Sequence, residues 1–287
     1  MKRPIKNFLT CLTLLLSASV FSCAKAPIKA LIVTGQNNHN WEVNSVALQK
    51  YLNESGIFTA ELAISPQKGE DMSSFRPDFS AYKLIVLDYN GDAWCDDANR
   101  AFLEYVKNGG GVVVYHAADN AFRNWKEYNE IIGLGGWENR DETDGPYVYF
   151  KDGKAVRDTS SGLGGSHGKQ HEYAIVVRDK KHPITKDLPE SWMHSKDELY
   201  DRLRGPAKNL TVLATAYSAE ETGGTGRDEP VLMTITWGKG RIFHTVLGHD
   251  TRWTVEGGSF AVTFLRGAEW AATGKVTRKI PDGFPRK

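Results

Sequence analysis

The stretch Asn108-Gly-Gly-Gly-Val-Val-Val-Tyr-His-Ala-Ala-Asp-Asn120 carries the strongest signals for the fold. Its glycines are typical of a helix end, because glycine readily adopts the left-handed backbone that terminates many helices. The run Val112–Tyr115 is short, apolar and β-branched, which predicts a strand buried on both faces. His116 and Asp119 follow directly after this strand. We therefore expect a helix, a buried strand and a polar loop in succession.

The same alternation extends over most of the chain. Further apolar runs of strand length lie at 28–34, 57–64, 82–88, 172–177, 210–216, 231–237 and 242–247. Helical spacing of apolar residues occurs at 41–55, at 96–106, where Asp96 or Asp97 would be the N-cap, and at 257–272. Strands that alternate with helices predict an α/β domain whose mostly parallel sheet is covered by helices on both faces.

Three segments depart from this alternation. Residues 135–170 are rich in glycine and polar side chains, which predicts an excursion over the strand ends with one short hairpin. Gly238-Lys-Gly240 separates two apolar runs and predicts a hairpin turn. The tail that starts at Gly274 is predicted to be a strap on the surface.

The N-terminus predicts export. Positive residues precede an apolar run at 8–20 that is too short to span a bilayer, so residues 1–22 are expected to form a signal peptide. Val20-Phe-Ser-Cys23 resembles the lipobox of bacterial lipoproteins, in which the cysteine is lipidated. We therefore expect a single domain at 24–287 in the periplasm or cell envelope, anchored through Cys23. Ordinary cleavage that releases a soluble periplasmic protein is the alternative.

Composition excludes several classes of function. The chain has 36 basic and 35 acidic residues and a formal net charge of +1, with no run of like charge. Nucleic-acid binding is not expected, because it needs a basic patch that replaces phosphate counterions. Of the 3 cysteines, Cys11 leaves with the signal peptide and Cys23 takes the lipid. Cys95 alone can form neither an internal disulfide nor a thiolate metal cluster.

Polar side chains are concentrated after the predicted strands, where open α/β sheets bind their ligands. The candidate site residues are His39, Trp41, His116, Asp119, His194, Asp197, Glu198, His249, Asp250 and Trp253. His116 and His249 are the strongest candidates, because both follow a strand directly. His182, next to a proline, is interpreted as structural, and His167 lies in a glycine-rich loop that predicts no direction for its side chain.

Three separate motifs resemble the trehalose-utilisation (ThuA-like) family. They are 109–118, the set His171-Glu-Tyr, His182-Pro-Ile and Asp197-Glu-Leu-Tyr200, and the stretch from Pro230 through Trp237 and His249-Asp250 to Trp253. The resemblance covers nearly the whole mature chain. It implies a flavodoxin-like three-layer sandwich similar to class I glutamine amidotransferases. It also implies a role in carbohydrate metabolism, with trehalose, related disaccharides or their 3-keto forms as substrates.

The amidotransferase comparison argues against glutaminase activity. Those enzymes place a cysteine nucleophile at a tight turn after a strand, whereas the turn here carries His116. An imidazole cannot form the thioester that glutamine hydrolysis uses. Cys95 lies at a predicted helix start in another loop and is not assigned a role.

We therefore expect a sugar hydrolase or isomerase that uses acid–base chemistry. His116 and His249 would transfer protons, because imidazole titrates near neutral pH, and Asp250 or Asp197 would orient them. The other candidates, including His39, Asp119, His194 and Glu198, would bind the sugar. No nicotinamide or flavin motif is present, so a partner oxidoreductase would carry out any oxidation.

Two alternatives stay open. The histidines and a carboxylate could bind a divalent metal such as zinc, although no H-x-x-x-H or H-E-x-x-H spacing is present. The chain could instead be a non-catalytic sugar-binding or accessory lipoprotein that keeps the fold. The two classes differ in turnover, because a binding protein would hold the sugar without converting it.

Overall fold

The computed structural model describes residues 26–250 and 258–285. Its strands are β1 Ile28–Thr34, β2 Phe58–Ile64, β3 Leu84–Leu87, β4 Gly111–Tyr115, β5 Tyr147–Lys151, β6 Lys154–Asp158, β7 Ser166–His167, β8 His171–Val177, β9 Ser191–Asp197, β10 Tyr200–Asp201, β11 Leu210–Ser218, β12 Arg227–Trp237 and β13 Gly240–Thr245. Its α-helices are α1 Trp41–Glu54, α2 Asp96–Lys107, α3 Lys126–Ile132 and α4 Ser259–Thr273. The apolar runs found in the sequence thus form strands, within a few residues of the expected bounds.

The main sheet has a parallel half and an antiparallel half. Its strand order in the described residues is β2-β1-β3-β4-β13-β12-β11-β8-β9. The pairs from β2 to β13 are parallel, and those from β13 to β9 are antiparallel. The predicted α/β, flavodoxin-like fold is confirmed, and the antiparallel half extends it beyond the alternating strands and helices of the N-terminal part.

Two predicted hairpins are confirmed. The turn at Gly238-Lys-Gly240 joins β12 and β13, which pair from Trp237 and Gly240 onward. The excursion between 135 and 170 contains the hairpin of β5 and β6, and β5 contacts β12 through Phe150 and Asp228. The excursion is therefore tied to the main sheet by this short contact.

Helices cover both faces of the sheet, as β13 shows. The ring of Phe243 lies so close to Gly267 of α4 that a Cβ atom there would be 2.1 Å from the ring. The next residue, His244, contacts the Ile132 carbonyl of α3 through Nδ1 at 2.8 Å. Neighbouring residues of a strand point to opposite faces, so α4 and α3 lie on opposite sides of the sheet.

The start of α2 differs from the prediction. The N-cap is Cys95, which makes no side-chain capping bond, and Asp96 and Asp97 lie in the first turn. Neither aspartate is the cap, which corrects that expectation. Their negative charges still stabilise the helix through its dipole, because the N-terminus of a helix carries partial positive charge.

The C-terminal tail is described up to residue 285, whereas the N-terminal segment is described only from residue 26. The tail after α4 packs along that helix, where Thr277 N and Arg278 N donate to the Glu269 carboxylate, so the predicted strap is confirmed up to residue 285. The predicted signal peptide and Cys23 lie outside the described residues. Within 26–250 and 258–285, no helix has the length and apolar character needed to cross a membrane.

Candidate functional site

Four side chains from separate parts of the sequence meet at one edge of the sheet. His39 follows β1, His116 follows β4, Glu198 follows β9 and His249 follows β13. One nitrogen of each imidazole and one carboxylate oxygen all lie within 4.8 Å of one another. We refer to these four residues as the His/Glu cluster. The parallel strands bring three of its members together, because their carboxyl ends lie at the same edge.

The Oε2 atom of Glu198 is the centre of the His/Glu cluster. It lies 3.8 Å from His39 Nε2, 3.8 Å from His116 Nε2 and 2.9 Å from His249 Nδ1. The His39 ring lies edge-on to the other two imidazoles, with centroid distances of 4.7 Å to His116 and 4.6 Å to His249. The three rings therefore surround a single carboxylate oxygen.

His116 is buried in a strained backbone conformation. Its φ is 43°, which is uncommon for a residue other than glycine and is often found at functional sites. Its Nδ1 atom contacts the Val246 carbonyl, so Nδ1 carries the proton and Nε2 has a free lone pair. Burial, together with nearby His39, lowers the pKa of His116 to about 3. The imidazole is therefore neutral, and its buried Nε2 has no hydrogen-bond partner.

A chain of polar side chains orients His39. Its Nδ1 atom donates to Asn37 Oδ1 at 3.1 Å, and Asn37 Nδ2 donates to Asp88 Oδ1 at 2.9 Å. Asp88 is completely buried behind them. These contacts place the proton of His39 on Nδ1, so its Nε2 faces Glu198 as an acceptor. His39 and His116 thus present lone pairs to the same point.

Asp197 positions Glu198 and His249 through their backbones. Its Oδ1 accepts from Glu198 N at 2.9 Å and His249 N at 3.0 Å, and its Oδ2 accepts from Gly248 N at 2.8 Å. The side chain is 2% exposed. Asp197 therefore cannot contact a substrate, which corrects the expectation that it binds sugar. Its contacts are with backbone N–H groups and with His194, so the expected orientation of the His116 and His249 imidazoles stays a prediction.

His194 and Asp119 are buried as well. His194 contacts Asp197 Oδ2 through Nε2 at 2.9 Å and Ser259 Oγ through Nδ1 at 3.1 Å, so both nitrogens are occupied. Asp119 Oδ2 lies 3.3 Å from His244 Nε2, and burial raises the pKa of this carboxyl. Both residues are 0% exposed. The expectation that they bind sugar is corrected, because neither reaches a surface.

Glu198 and His249 both face the cavity, and each changes the pKa of the other because they lie close together. Burial alone would raise the pKa of Glu198, but the imidazoles of His249 and His39 beside it lower it well below its usual value. Burial opposes protonation of His249, whereas the nearby Glu198 carboxylate raises the pKa of His249 overall. His249 Nδ1 is buried and makes no aligned hydrogen bond, although Glu198 Oε2 is only 2.9 Å away.

A cavity of about 910 Å³ opens over the His/Glu cluster. Its lining is mostly polar and comprises Gly35, Gln36, Asn37, Asn38, His39, Trp41, Glu42, Gln67, Lys68, Asn90, Gly91, Asn120, Trp137, Glu138, His167, Glu198, Tyr200 and His249. Of the predicted residues, His39, Trp41, Glu198 and His249 thus face the cavity. Asp250 follows His249 and lines a neighbouring cleft with it. Trp253 lies outside the described residues.

Several residues that line this cavity were not among the predicted candidates, and His167 and Trp137 are two of them. His167 Nε2 lies 3.7 Å from Glu198 Oε1, and the Trp137 ring lies 4.5 Å from that of Tyr200, which in turn stacks on His116 at 4.2 Å. The loop that carries His167 packs tightly on Trp137, since a Cβ at Gly165 would lie 2.4 Å from the Trp137 backbone nitrogen. His167 itself pairs with Tyr200 in the short antiparallel ladder of β7 and β10.

These features define the class of protein: a flavodoxin-like α/β protein with a histidine and carboxylate site in a polar, small-molecule cavity. Cys95 is absent from that cavity, and its Sγ lies 3.7 Å from the Phe75 carbonyl.

The chain belongs to the ThuA family, described as trehalose utilisation, which it matches over residues 29–271. A ThuA-like protein of Parabacteroides merdae, solved by crystallography, is 59% identical, with a TM-score of 0.88 over 91% of this chain and 95% of that one. A ThuA-like protein of Bacteroides uniformis is 19% identical, with a TM-score of 0.58 over 91% of this chain and 97% of that one, and is similar in fold. No curated protein matches the sequence.

Proposed function

We propose that this protein is an exported enzyme of carbohydrate metabolism that acts on a trehalose-like disaccharide or its keto derivative. The observation that carries this proposal is the convergence of His39, His116, His249 and Glu198 below a polar cavity. Buried imidazoles with unpaired nitrogens are costly for a fold, so a chemical role best accounts for them.

The cavity supports a sugar as the ligand. Its volume of about 910 Å³ lies near the upper end of the roughly 300–1,000 Å³ typical of small-molecule sites, so a disaccharide has room. Amide side chains such as Asn38 and Asn90 offer donors and acceptors for hydroxyl groups, and Trp41 and Trp137 offer flat apolar faces. A separate oxidoreductase would supply a keto sugar where that is the substrate.

Acid–base chemistry would take place where the His/Glu cluster faces the cavity. Glu198 and His249 reach the cavity surface, whereas His116 is buried beneath them. We therefore revise the expected proton-transfer pair from His116 and His249 to Glu198 and His249. His116 would then contact the other members of the cluster without reaching the cavity. Hydrolysis and isomerisation both require a proton to be moved at this position.

The test is turnover of trehalose, related disaccharides and their 3-keto forms, followed by chromatography and NMR of the products. Glu198→Gln keeps the size of the side chain and removes its charge, so turnover should fall by roughly 10²–10⁴-fold, the usual contribution of general acid–base catalysis. His171→Gln is the matched control, because His171 lies outside the cavity and contacts the Lys169 carbonyl. It should retain wild-type turnover.

Three outcomes decide the proposal. Product formation that depends on Glu198 supports it and identifies the reaction. A sugar that raises the melting temperature without being converted would replace the enzyme with a binding protein on the same fold. A panel with neither binding nor turnover would overturn the carbohydrate assignment.

A further inference from the structure

The acceptor atoms of His39, His116 and Glu198 in the His/Glu cluster point at one another. The protons of His39 and His116 lie on Nδ1, where Asn37 Oδ1 and the Val246 carbonyl accept them. The Nε2 atoms of both rings therefore face Glu198 Oε2 as acceptors. A bridging proton could satisfy one such pair, but three imidazole nitrogens and a carboxylate oxygen converge here.

We infer that the His/Glu cluster binds one divalent transition-metal ion through His39 Nε2, His116 Nε2, His249 Nδ1 and Glu198 Oε2. This inference extends the proposed function, but it stands on the geometry of the cluster and not on the identity of the sugar.

The distances fit an ion at the centre of these atoms. Ligands about 2.1 Å from a tetrahedral ion lie about 3.4 Å from one another. The three distances from Glu198 Oε2 to the imidazole nitrogens are 3.8, 3.8 and 2.9 Å, on either side of that value. Small shifts of side chains would bring all four atoms to bonding distance.

The surroundings of the cluster are those of a metal site. Metal-binding histidines usually donate their second N–H to a carbonyl or carboxylate group, which fixes the ring and its tautomer. His116 does so to Val246, and His39 does so to Asn37, which is itself held by Asp88. Asp197 holds the backbones of the other two ligands in place.

The residue types define the class of metal. Imidazole nitrogens favour zinc, iron, nickel, copper or cobalt, whereas magnesium and calcium prefer oxygen ligands throughout. Glu198, His39 and His249 also line the cavity, so the ion would have a coordination position open to water or substrate. An open position is characteristic of catalytic metal sites, and a bound metal ion lowers the pKa of a water molecule held there.

The first test is the metal content of the full chain, purified without a polyhistidine tag and measured by elemental mass spectrometry. We expect about one transition-metal ion per chain, in line with a single site of four ligands. Glu198→Gln should lose most of this metal, and His171→Gln should keep it. Asn37→Ala leaves every ligand in place and should weaken metal affinity by roughly 10–100-fold, because it frees His39.

The second test uses protein stripped with a chelator. Zinc, nickel or cobalt should raise its melting temperature, and magnesium and calcium should not, because only an ion bound by the folded state shifts the transition. Absence of metal from the purified chain, with no shift by any transition metal, would overturn the inference. Equal metal affinity of Glu198→Gln, Asn37→Ala and wild type would overturn the assigned ligands.

The outcomes separate this inference from the proposed function. A chain that binds metal but converts no sugar keeps the metal site and loses the substrate class. A chain that converts sugar but neither contains nor binds a transition metal keeps the proposed function and loses the metal site.

Discussion

At the scale of single residues, Asp197 is the side chain on which the geometry of the site depends most. It accepts hydrogen bonds from the backbone nitrogens of Glu198, Gly248 and His249 and contacts His194. It thereby joins the end of β9 to the loop after β13, although these segments are 51 and 52 residues apart at the bonded atoms. A single buried carboxylate thus sets the separation of two members of the His/Glu cluster.

Replacing Asp197 with asparagine should disrupt both stability and site geometry. The amide NH₂ group would face N–H donors where the carboxylate now accepts, which leaves buried groups without partners. We expect the free energy of unfolding to fall by roughly 2–4 kcal/mol and turnover to be lost. Urea unfolding measures the first effect.

The matched control is Glu172→Gln, which removes the same charge at an exposed position of β8. It should change stability by no more than about 0.5 kcal/mol. A stability of Asp197→Asn equal to that of this control would show that the contacts of Asp197 contribute little.

At the scale of elements, α4 packs against β4 and β13, the two strands that lead to His116 and His249. Gly111 at the start of β4 lies against Ala271, where an added Cβ would be 2.5 Å from the backbone of that residue. Gly267 lies even closer to the ring of Phe243 in β13, where an added Cβ would be 2.1 Å from the ring. The missing side chains at these two glycines let α4 approach β4 and β13 closely.

Gly267→Ala should therefore destabilise the protein, although alanine is the better helix former. The new methyl group would overlap the fully buried Phe243 ring, and overpacking costs about 1–3 kcal/mol, against a gain in helix propensity of about 1 kcal/mol. Thermal unfolding should show a lower melting temperature than wild type.

A second variant identifies the cause. Gly267→Ala combined with Phe243→Leu should be more stable than the sum of the two single changes predicts, because the smaller side chain makes room for the methyl group. Strict additivity would mean that the clash with Phe243 is not the source of the loss.

At the scale of the whole molecule, the site forms because the end of β9 packs near the ends of the parallel strands. β9 is the last strand of the main sheet, yet His194 on it contacts Ser259 at the start of α4. Glu198, which follows β9, thereby reaches the histidines at the carboxyl ends of the parallel strands. The cavity lies at this edge, so a ligand would enter from the side on which the loops cluster.

The anchoring of the molecule is tested at Cys23, which lies outside the described residues. We propose that wild type is lipidated there and partitions into the detergent phase after extraction with a cloud-point detergent. Cys23→Ser should appear in the aqueous phase, because it would lack the acyl chains that hold a protein at a membrane. Cys95→Ser is the control and should partition as wild type does. Wild type in the aqueous phase would favour ordinary cleavage and a soluble periplasmic protein.

The sequence by itself determined the α/β class, the positions of the main strands and helices, and the side chains that follow the strands. Hydrophobic periodicity and turn residues are local signals, so runs such as 28–34 and 112–115 identify their own structure. The rule that ligands gather at carboxyl ends of parallel strands then pointed to His39, His116 and His249.

Only the tertiary structure decided which of these side chains act together. It separated Glu198, at the cavity, from its neighbour Asp197, which is buried, although the two are adjacent in sequence. It also removed His194 and Asp119 from the cavity and added His167 and Trp137. The physical reason is that burial and the direction of a side chain depend on contacts between residues far apart in the chain, which no local pattern contains.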